Sequence, residues 1–282
     1  MRVVSLHADV LLATSAIWQT NCVIVRGGSQ TAIGQAGDPI AVHVVGGEAG
    51  TGAETFVIDS PILPEEIEVL PALLEQSRFP APSGLLVTHA DWDHLLGRLA
   101  FPDATLGCAS TTAERMRSAP GEPQRELRSF DERHYLQRPR PLALGSVQAL
   151  DVPGSCEVGS RELALHPVEG HTSDGMALWM DWTGVLVVGD YLSAIEIPVL
   201  GEDGSIDAYI GTLERLQPLV SCAELVVPGH GPVLDSERAG AVLEEDLAYL
   251  RALRDNAAAN LPPERRTREQ RRIHFENLDR LP

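Results

Sequence analysis

Lysine is absent: all 22 basic residues of the 282-residue chain are arginine. That excludes a lysine Schiff base and the lysine of a phosphate-binding P-loop. Positive charge is also scarce, with 22 basic residues against 40 acidic ones and a formal net charge of −18. A field of that sign repels phosphate, so neither nucleic acid nor an anionic membrane is expected as a partner. The four cysteines, Cys22, Cys108, Cys156 and Cys222, are widely spaced and form no C-x-x-C pair. Neither a disulfide framework nor a zinc knuckle is indicated, and buried free thiols are expected. No apolar run approaches the roughly 18 residues of a membrane span. The first residues show no long apolar stretch before a small-residue cleavage site, and a cytoplasmic protein is expected.

What remains is an ordinary globular composition, 44% hydrophobic and 22% charged, in a chain long enough for one large domain or two small ones. The first fifty-odd residues read as β, with strands expected at 16–25, 40–45 and 55–59. The glycine-rich stretch 46–52 lies between two of these strands, as a hairpin turn does and a phosphate cradle does not. A helix is expected over 64–76, with proline and acidic residues in its first turn. A short buried strand at 85–87 follows, then a polar cluster and a helical segment from about 94. Residues 104–108 read as strand and 111–117 as helix. The stretch 115–140 is rich in proline, carries seven arginines and reads as irregular. Strands resume near 147, at 162–168, 176–182, 185–188 and 224–227, with helices at 206–216 and 236–260. Strands then helix, twice over, point to an α/β fold of two similar halves whose sheets are covered by helices.

Potential metal-ligating residues collect at the ends of these strands. The densest group is Thr88-His89-Ala90-Asp91-Trp92-Asp93-His94, with four candidate ligands in six residues. Buried imidazoles and carboxylates are costly unless paired or metal-bound. Three more groups follow strands in the same manner: Glu169-Gly170-His171-Thr172, Val188-Gly189-Asp190 and Pro228-Gly229-His230-Gly231. Each has a glycine before the candidate ligand, which permits a tight turn. One such group is weak evidence; four in this order mark a metal site.

In these residues the chain resembles the metallo-β-lactamase superfamily, whose pattern is H-x-H-x-D-H followed by a His, an Asp and a last His. The resemblance spans residues 16–250. It implies a four-layer αββα sandwich over residues 1–260, with an insertion or lid at about 115–142 and an arginine-rich tail at 261–282. It also implies two divalent metal ions. His89, Asp91 and His171 would hold one, Asp93, His94 and His230 the other, and Asp190 would bridge them. Asp59 would sit at the edge of the site without binding metal. Asp93 and Asp190 are then the catalytic candidates. One position departs from the family pattern: Asp91 stands where the second His is expected.

Asp91 has a consequence for charge. Two divalent ions, three carboxylates and a hydroxide sum to zero, whereas a histidine at 91 would leave +1. A harder, more anionic set admits iron or manganese beside zinc. The resemblance implies a hydrolase that uses a bridging hydroxide on an ester, thioester or lactone carbonyl, with a thioester of glutathione or coenzyme A preferred. A diiron oxygenase acting on a carrier- or coenzyme A-tethered substrate is the alternative. A non-catalytic, metal-stabilised binding protein is the third reading. Trp92 and Tyr191 flank candidate ligands and are candidates for the pocket wall. The arginines at 125, 128, 133, 138 and 140, and those from 265 to 272, form either a solvated face or an anion-binding patch. His7, His43, His134, His166 and His274 have no partners at ligand spacing and carry no assigned role.

Overall fold

The computed structural model describes residues 1–28, 53–255 and 259–281. Seven strands form one sheet in chain order: β1 (Arg2–His7), β2 (Val10–Thr14), β3 (Asn21–Gly27), β4 (Glu54–Ile58), β5 (Gly84–Leu86), β6 (Thr105–Ala109) and β7 (Val147–Leu150). Pairing is antiparallel up to β4 and parallel from there on. The second sheet runs β13 (Leu234–Asp235), β12 (Leu225–Val227), β11 (Val185–Val187), β10 (Met176–Met180), β9 (Arg161–Pro167) and β8 (Gly154–Val158). The expected strand at 40–45, the turn at 46–52 and His43 lie outside the described residues.

Alternation along each strand builds three cores. In β2 and β3, Val10, Leu12, Val23 and Val25 point between the sheets, where they meet Leu165, Met176, Leu178 and Val187 of the second sheet. Their neighbours Leu11, Ala13, Cys22 and Ile24 point outward to a helical layer. That layer contains α1 (Pro64–Glu68), α2 (Leu70–Gln76), α3 (Gly97–Ala100), α4 (Ser110–Ser118) and α5 (Glu122–His134). The outer face of the second sheet is covered by α6 (Ile206–Cys222), α7 (Ser236–Arg254) and α8 (Arg268–Asp279). The layering is therefore αββα, as expected. None of the described helices is long and apolar enough to cross a membrane.

Several expectations about elements need correction. Strand β3 begins at Asn21 and not at 16, because residues 15–20 form a turn in which Ser15 N–H donates to Thr20 O and Thr20 N–H to Ile17 O. The helix expected at 64–76 breaks at Val69, since Pro71 has no N–H to continue the ladder. The stretch 115–140 is not irregular: it holds the end of α4 and all of α5, which buries Pro123, Leu127 and Phe130 on one face. The expected tail contains α8, with Ile273 in the outer core and Arg265 fully buried. Of the four free cysteines, only Cys22 and Cys108 are buried, and Cys222 is exposed.

Candidate metal centre

All seven candidate ligands, and Asp59, lie on segments that follow a strand's C-terminal end. Asp59 follows β4, the 89–94 group follows β5, His171 follows β9, Asp190 follows β11 and His230 follows β12. The strands thus deliver them to one edge of the sandwich. Two of the glycines explain how. Gly170 has φ +117°, and a Cβ there would lie 2.1 Å from Tyr209 N. Gly229 packs so closely on the next loop that its Cβ would lie 2.0 Å from Asp190 Oδ1.

The side chains converge as two triads around one shared carboxylate. Asp190 Oδ2 lies 3.7 Å from His89 Nε2 and 3.4 Å from His171 Nε2. Asp91 Oδ2 faces the same two nitrogens at 3.5 and 3.4 Å. On the other side, Asp190 Oδ1 lies 3.2 Å from His94 Nε2 and 3.4 Å from His230 Nε2. Asp93 Oδ2 faces that pair at 3.6 and 3.3 Å. All but the shortest of these separations, the 3.2 Å of Asp190 to His94, exceed those of good hydrogen bonds. They match the edges of a tetrahedron: bonds of about 2.05 Å to a central ion put the ligands about 3.3 Å apart. The Nε2 atoms of His89, His94 and His171 and Oδ1 of Asp190 are buried without a hydrogen-bond partner. A buried polar atom left unpaired is expensive, so the donor set fits two divalent ions.

The opposite edge of each imidazole is anchored. His94 Nδ1 lies 2.9 Å from Asp59 Oδ2, and His171 Nδ1 lies 2.8 Å from the Val199 carbonyl. His89 Nδ1 contacts the Thr88 hydroxyl at 3.1 Å; His230 Nδ1 contacts Thr20 Oγ1 and Trp18 O, both at 3.2 Å. Asp59 is itself fixed by the Thr88 N–H and hydroxyl, at 2.8 and 2.9 Å. These bonds set each ring so that Nε2 faces the centre.

Burial works against the charges of Asp91, Asp93, Asp190, His94, His171 and His230, and their opposite-charge neighbours outweigh it. Asp91 and Asp190 are held well below the usual carboxylate range by the facing histidines, and Asp93 is held below it. In turn the carboxylates raise His94 and His230 well above the ordinary histidine value and raise His171 to about 9.

The sequence left several contributors unseen. Arg115 of α4 reaches the outer oxygen of Asp91, Nη1 to Oδ1 2.8 Å, and also holds Asp174 Oδ1 at 2.9 Å. Asp174 Oδ2 accepts the Ala90 N–H at 3.0 Å, which ties the 89–94 segment to the same network. Burial disfavours the Arg115 charge, but Asp91, Asp174 and Asp203 raise its pKa above the ordinary value. Two further carboxylates, Glu126 and Glu196, are pushed up by burial and then by the site's acids. Among the aromatic candidates, Trp92 packs against Trp18 and Phe130, with ring centroids 5.7 and 4.8 Å apart. Trp18 is half exposed and lies 6.4 Å from the His230 ring. Tyr191 departs from its expected place in the pocket wall. It is buried against Tyr209, and its hydroxyl accepts the His171 N–H at 3.2 Å.

Residues 42–230 match the family model described as the metallo-beta-lactamase superfamily. The chain is similar to a hydroxyacylglutathione hydrolase of Methylococcus capsulatus, 28% identical over 76% of this chain and 74% of that protein. It is also similar to a beta-lactamase-like protein 2 homolog of Caenorhabditis elegans, 25% identical over 66% of this chain, spanning only 55% of that protein's length. Among solved structures, a metallo-beta-lactamase family protein from Thermus thermophilus has a TM-score of 0.64 at 17% identity, over 89% of this chain and 82% of that one. A metallo-beta-lactamase from Pontibacter korlensis has a TM-score of 0.59 at 17% identity, over 89% and 98%. The chain belongs to the metallo-beta-lactamase superfamily.

Proposed function

We propose that the chain is a dinuclear metal-dependent hydrolase acting on an ester, thioester or lactone carbonyl, with a thioester preferred. The observation that carries this reading is the division of the Asp190 carboxylate, Oδ2 toward His89 and His171 and Oδ1 toward His94 and His230. In this reading His89, Asp91 and His171 hold one ion, Asp93, His94 and His230 hold the other, and Asp190 bridges. Zinc is favoured, and the three carboxylates admit iron or manganese. When bound, such a pair lowers the pKa of water and polarises a carbonyl oxygen.

The chain itself contributes orientation and proton handling. Asp93 turns Oδ2 toward His94 and His230; its Oδ1 is assigned the proton of the attacking water. Trp92, with Trp18 and Phe130, is assigned to the apolar side of the mouth, against which the substrate's hydrocarbon portion lies. The thioester preference, and with it glutathione or coenzyme A as the thiol-bearing group, is supported by the name of the 28% identical bacterial relative.

The oxygenase alternative draws on Asp91, whose charge hardens the donor set. Arg115 sits 2.8 Å from that carboxylate's outer oxygen and offsets part of the charge, which favours hydrolysis as the first reading. The test is a screen of glutathione and coenzyme A thioesters and of lactones on the metal-loaded protein. Hydrolysis that disappears in Asp190→Ala supports the proposal. Oxygen consumption with a reductant, and no hydrolysis of any ester class, overturns it.

A further inference from the structure

The segment from Val188 to Ser205, between β11 and α6, contains none of the named helices or strands. Its buried backbone groups must still find partners, and the C-terminal segment supplies many of them. Arg265, fully buried and paired with Asp246 at 2.5 Å and Glu245 at 2.9 Å, donates to the carbonyls of Ser193 and Glu196. Gln270 Oε1 accepts the Ile197 N–H at 2.7 Å. Arg280 donates to Leu200 O. Asn277, fully buried in α8, does more than its neighbours. Its Nδ2 donates to Pro198 O at 2.7 Å, and its Oδ1 accepts the Leu200 N–H at 3.0 Å.

Those two bonds hold the groups on either side of Val199, and the Val199 carbonyl is the atom that fixes His171 Nδ1. A single amide therefore brackets the peptide that aims a candidate ligand. Tyr249 of α7 orients the amide in turn, its hydroxyl accepting from Asn277 Nδ2 at 3.1 Å.

We infer that Asn277 is a positioning residue for the ion held by His89, Asp91 and His171, acting through Val199 and His171. The inference rests on the dinuclear reading. It gives α8 a role distinct from contact with substrate: it sets how well one of the two ions is held. Bonds one step closer to a metal ligand change affinity by about 10–100-fold when removed. Acting one step further out, Asn277→Ala is expected to lower affinity at that ion by about tenfold and to leave the other ion's affinity unchanged.

The experiment is chelator competition on the full chain loaded with zinc, with both affinities resolved. It compares wild type, Asn277→Ala, the milder Tyr249→Phe, and Gln270→Ala. Gln270→Ala removes a bond to the same segment away from Val199; it should lower the melting temperature and leave both affinities in place. Tyr249→Phe should weaken the same ion as Asn277→Ala by a smaller factor, and it provides the answer if Asn277→Ala fails to fold. On a His171→Ala background, which removes the ring that the Val199 carbonyl fixes, Asn277→Ala should cause no further loss at that ion. Unchanged affinities in both Asn277→Ala and Tyr249→Phe overturn the inference, as does equal weakening of both ions. A wild-type chain that holds fewer than two ions overturns the dinuclear reading and this inference with it.

Discussion

Asp190 and Asp91 concentrate the chemistry of this site at the scale of single residues. The Asp190 carboxylate faces both triads, one oxygen toward each. Asp190→Ala should therefore reduce metal content below two per chain and reduce any hydrolysis at least about 100-fold, read by elemental analysis beside a rate assay. Asp91 differs: one oxygen faces the site and the other meets Arg115. Replacing Arg115 by alanine frees that oxygen and leaves the buried Asp174 carboxylate with one partner fewer. The expected result is about 10-fold weaker binding of one ion and a loss of about 1–3 kcal/mol of stability. Wild-type chelator resistance in Arg115→Ala would show that Asp91 needs no such partner. The candidate ligands could be picked out of the sequence because metal sites repeat a local grammar, apolar strand, glycine, polar side chain, as at Val188-Gly189-Asp190. Arg115 could not. It is one of seven arginines between 115 and 140, and its partners Asp91, Asp174 and Asp203 lie far off in the chain.

Elements convert those residues into geometry, and two of their junctions can be tested. Gly170 lets β9 hand His171 to the site while α6 packs on top of it. Gly170→Ala would force a Cβ into the backbone of Tyr209 at a φ of +117°. A loss of roughly 2–4 kcal/mol is expected, with weaker metal binding through the displaced His171. Calorimetric melting and metal analysis check both. Glu66 of α1 ties the helix to the turn before β3. Burial opposes its charge, yet bonds from the Ser15 hydroxyl at 2.6 Å, the Ala16 N–H at 2.8 Å and the Leu63 N–H at 3.2 Å keep its pKa below the ordinary 4.5. A depressed carboxylate stabilises the fold above its unfolded value, and that contribution is lost as pH falls through the lower folded value. Glu66→Gln should cost about 1–2 kcal/mol near neutral pH, and the gap to wild type should close well below pH 4.5 in urea titrations. A gap of constant size across that range contradicts the assignment. Helix α5 was missed although Pro123, Leu127 and Phe130 recur at helical spacing. Its arginines and the prolines on both sides read as loop. Helix α8 was missed for a different reason, since it is held largely by polar side chains, Gln270 and Asn277 among them, and polar burial leaves no period in a hydrophobicity pattern.

The whole molecule is a sandwich whose two sheets hold the centre between them at one edge. The layering could be read from alternating strands and intervening helices, because each β-strand sorts its residues between two cores by parity alone. What parity does not determine is which segments bind the two halves together. Asn21 of the first sheet, for example, donates to Pro228 O and Gly231 O on either side of the His230 loop. The site is thus a property of the assembled fold, and the dinuclear reading requires that assembly to hold two ions. The decisive measurement is the content of zinc, iron and manganese per chain, on protein purified without added metal or chelator. Two ions per chain are expected, falling below two in Asp190→Ala. One ion or none in the wild-type chain would contradict that reading.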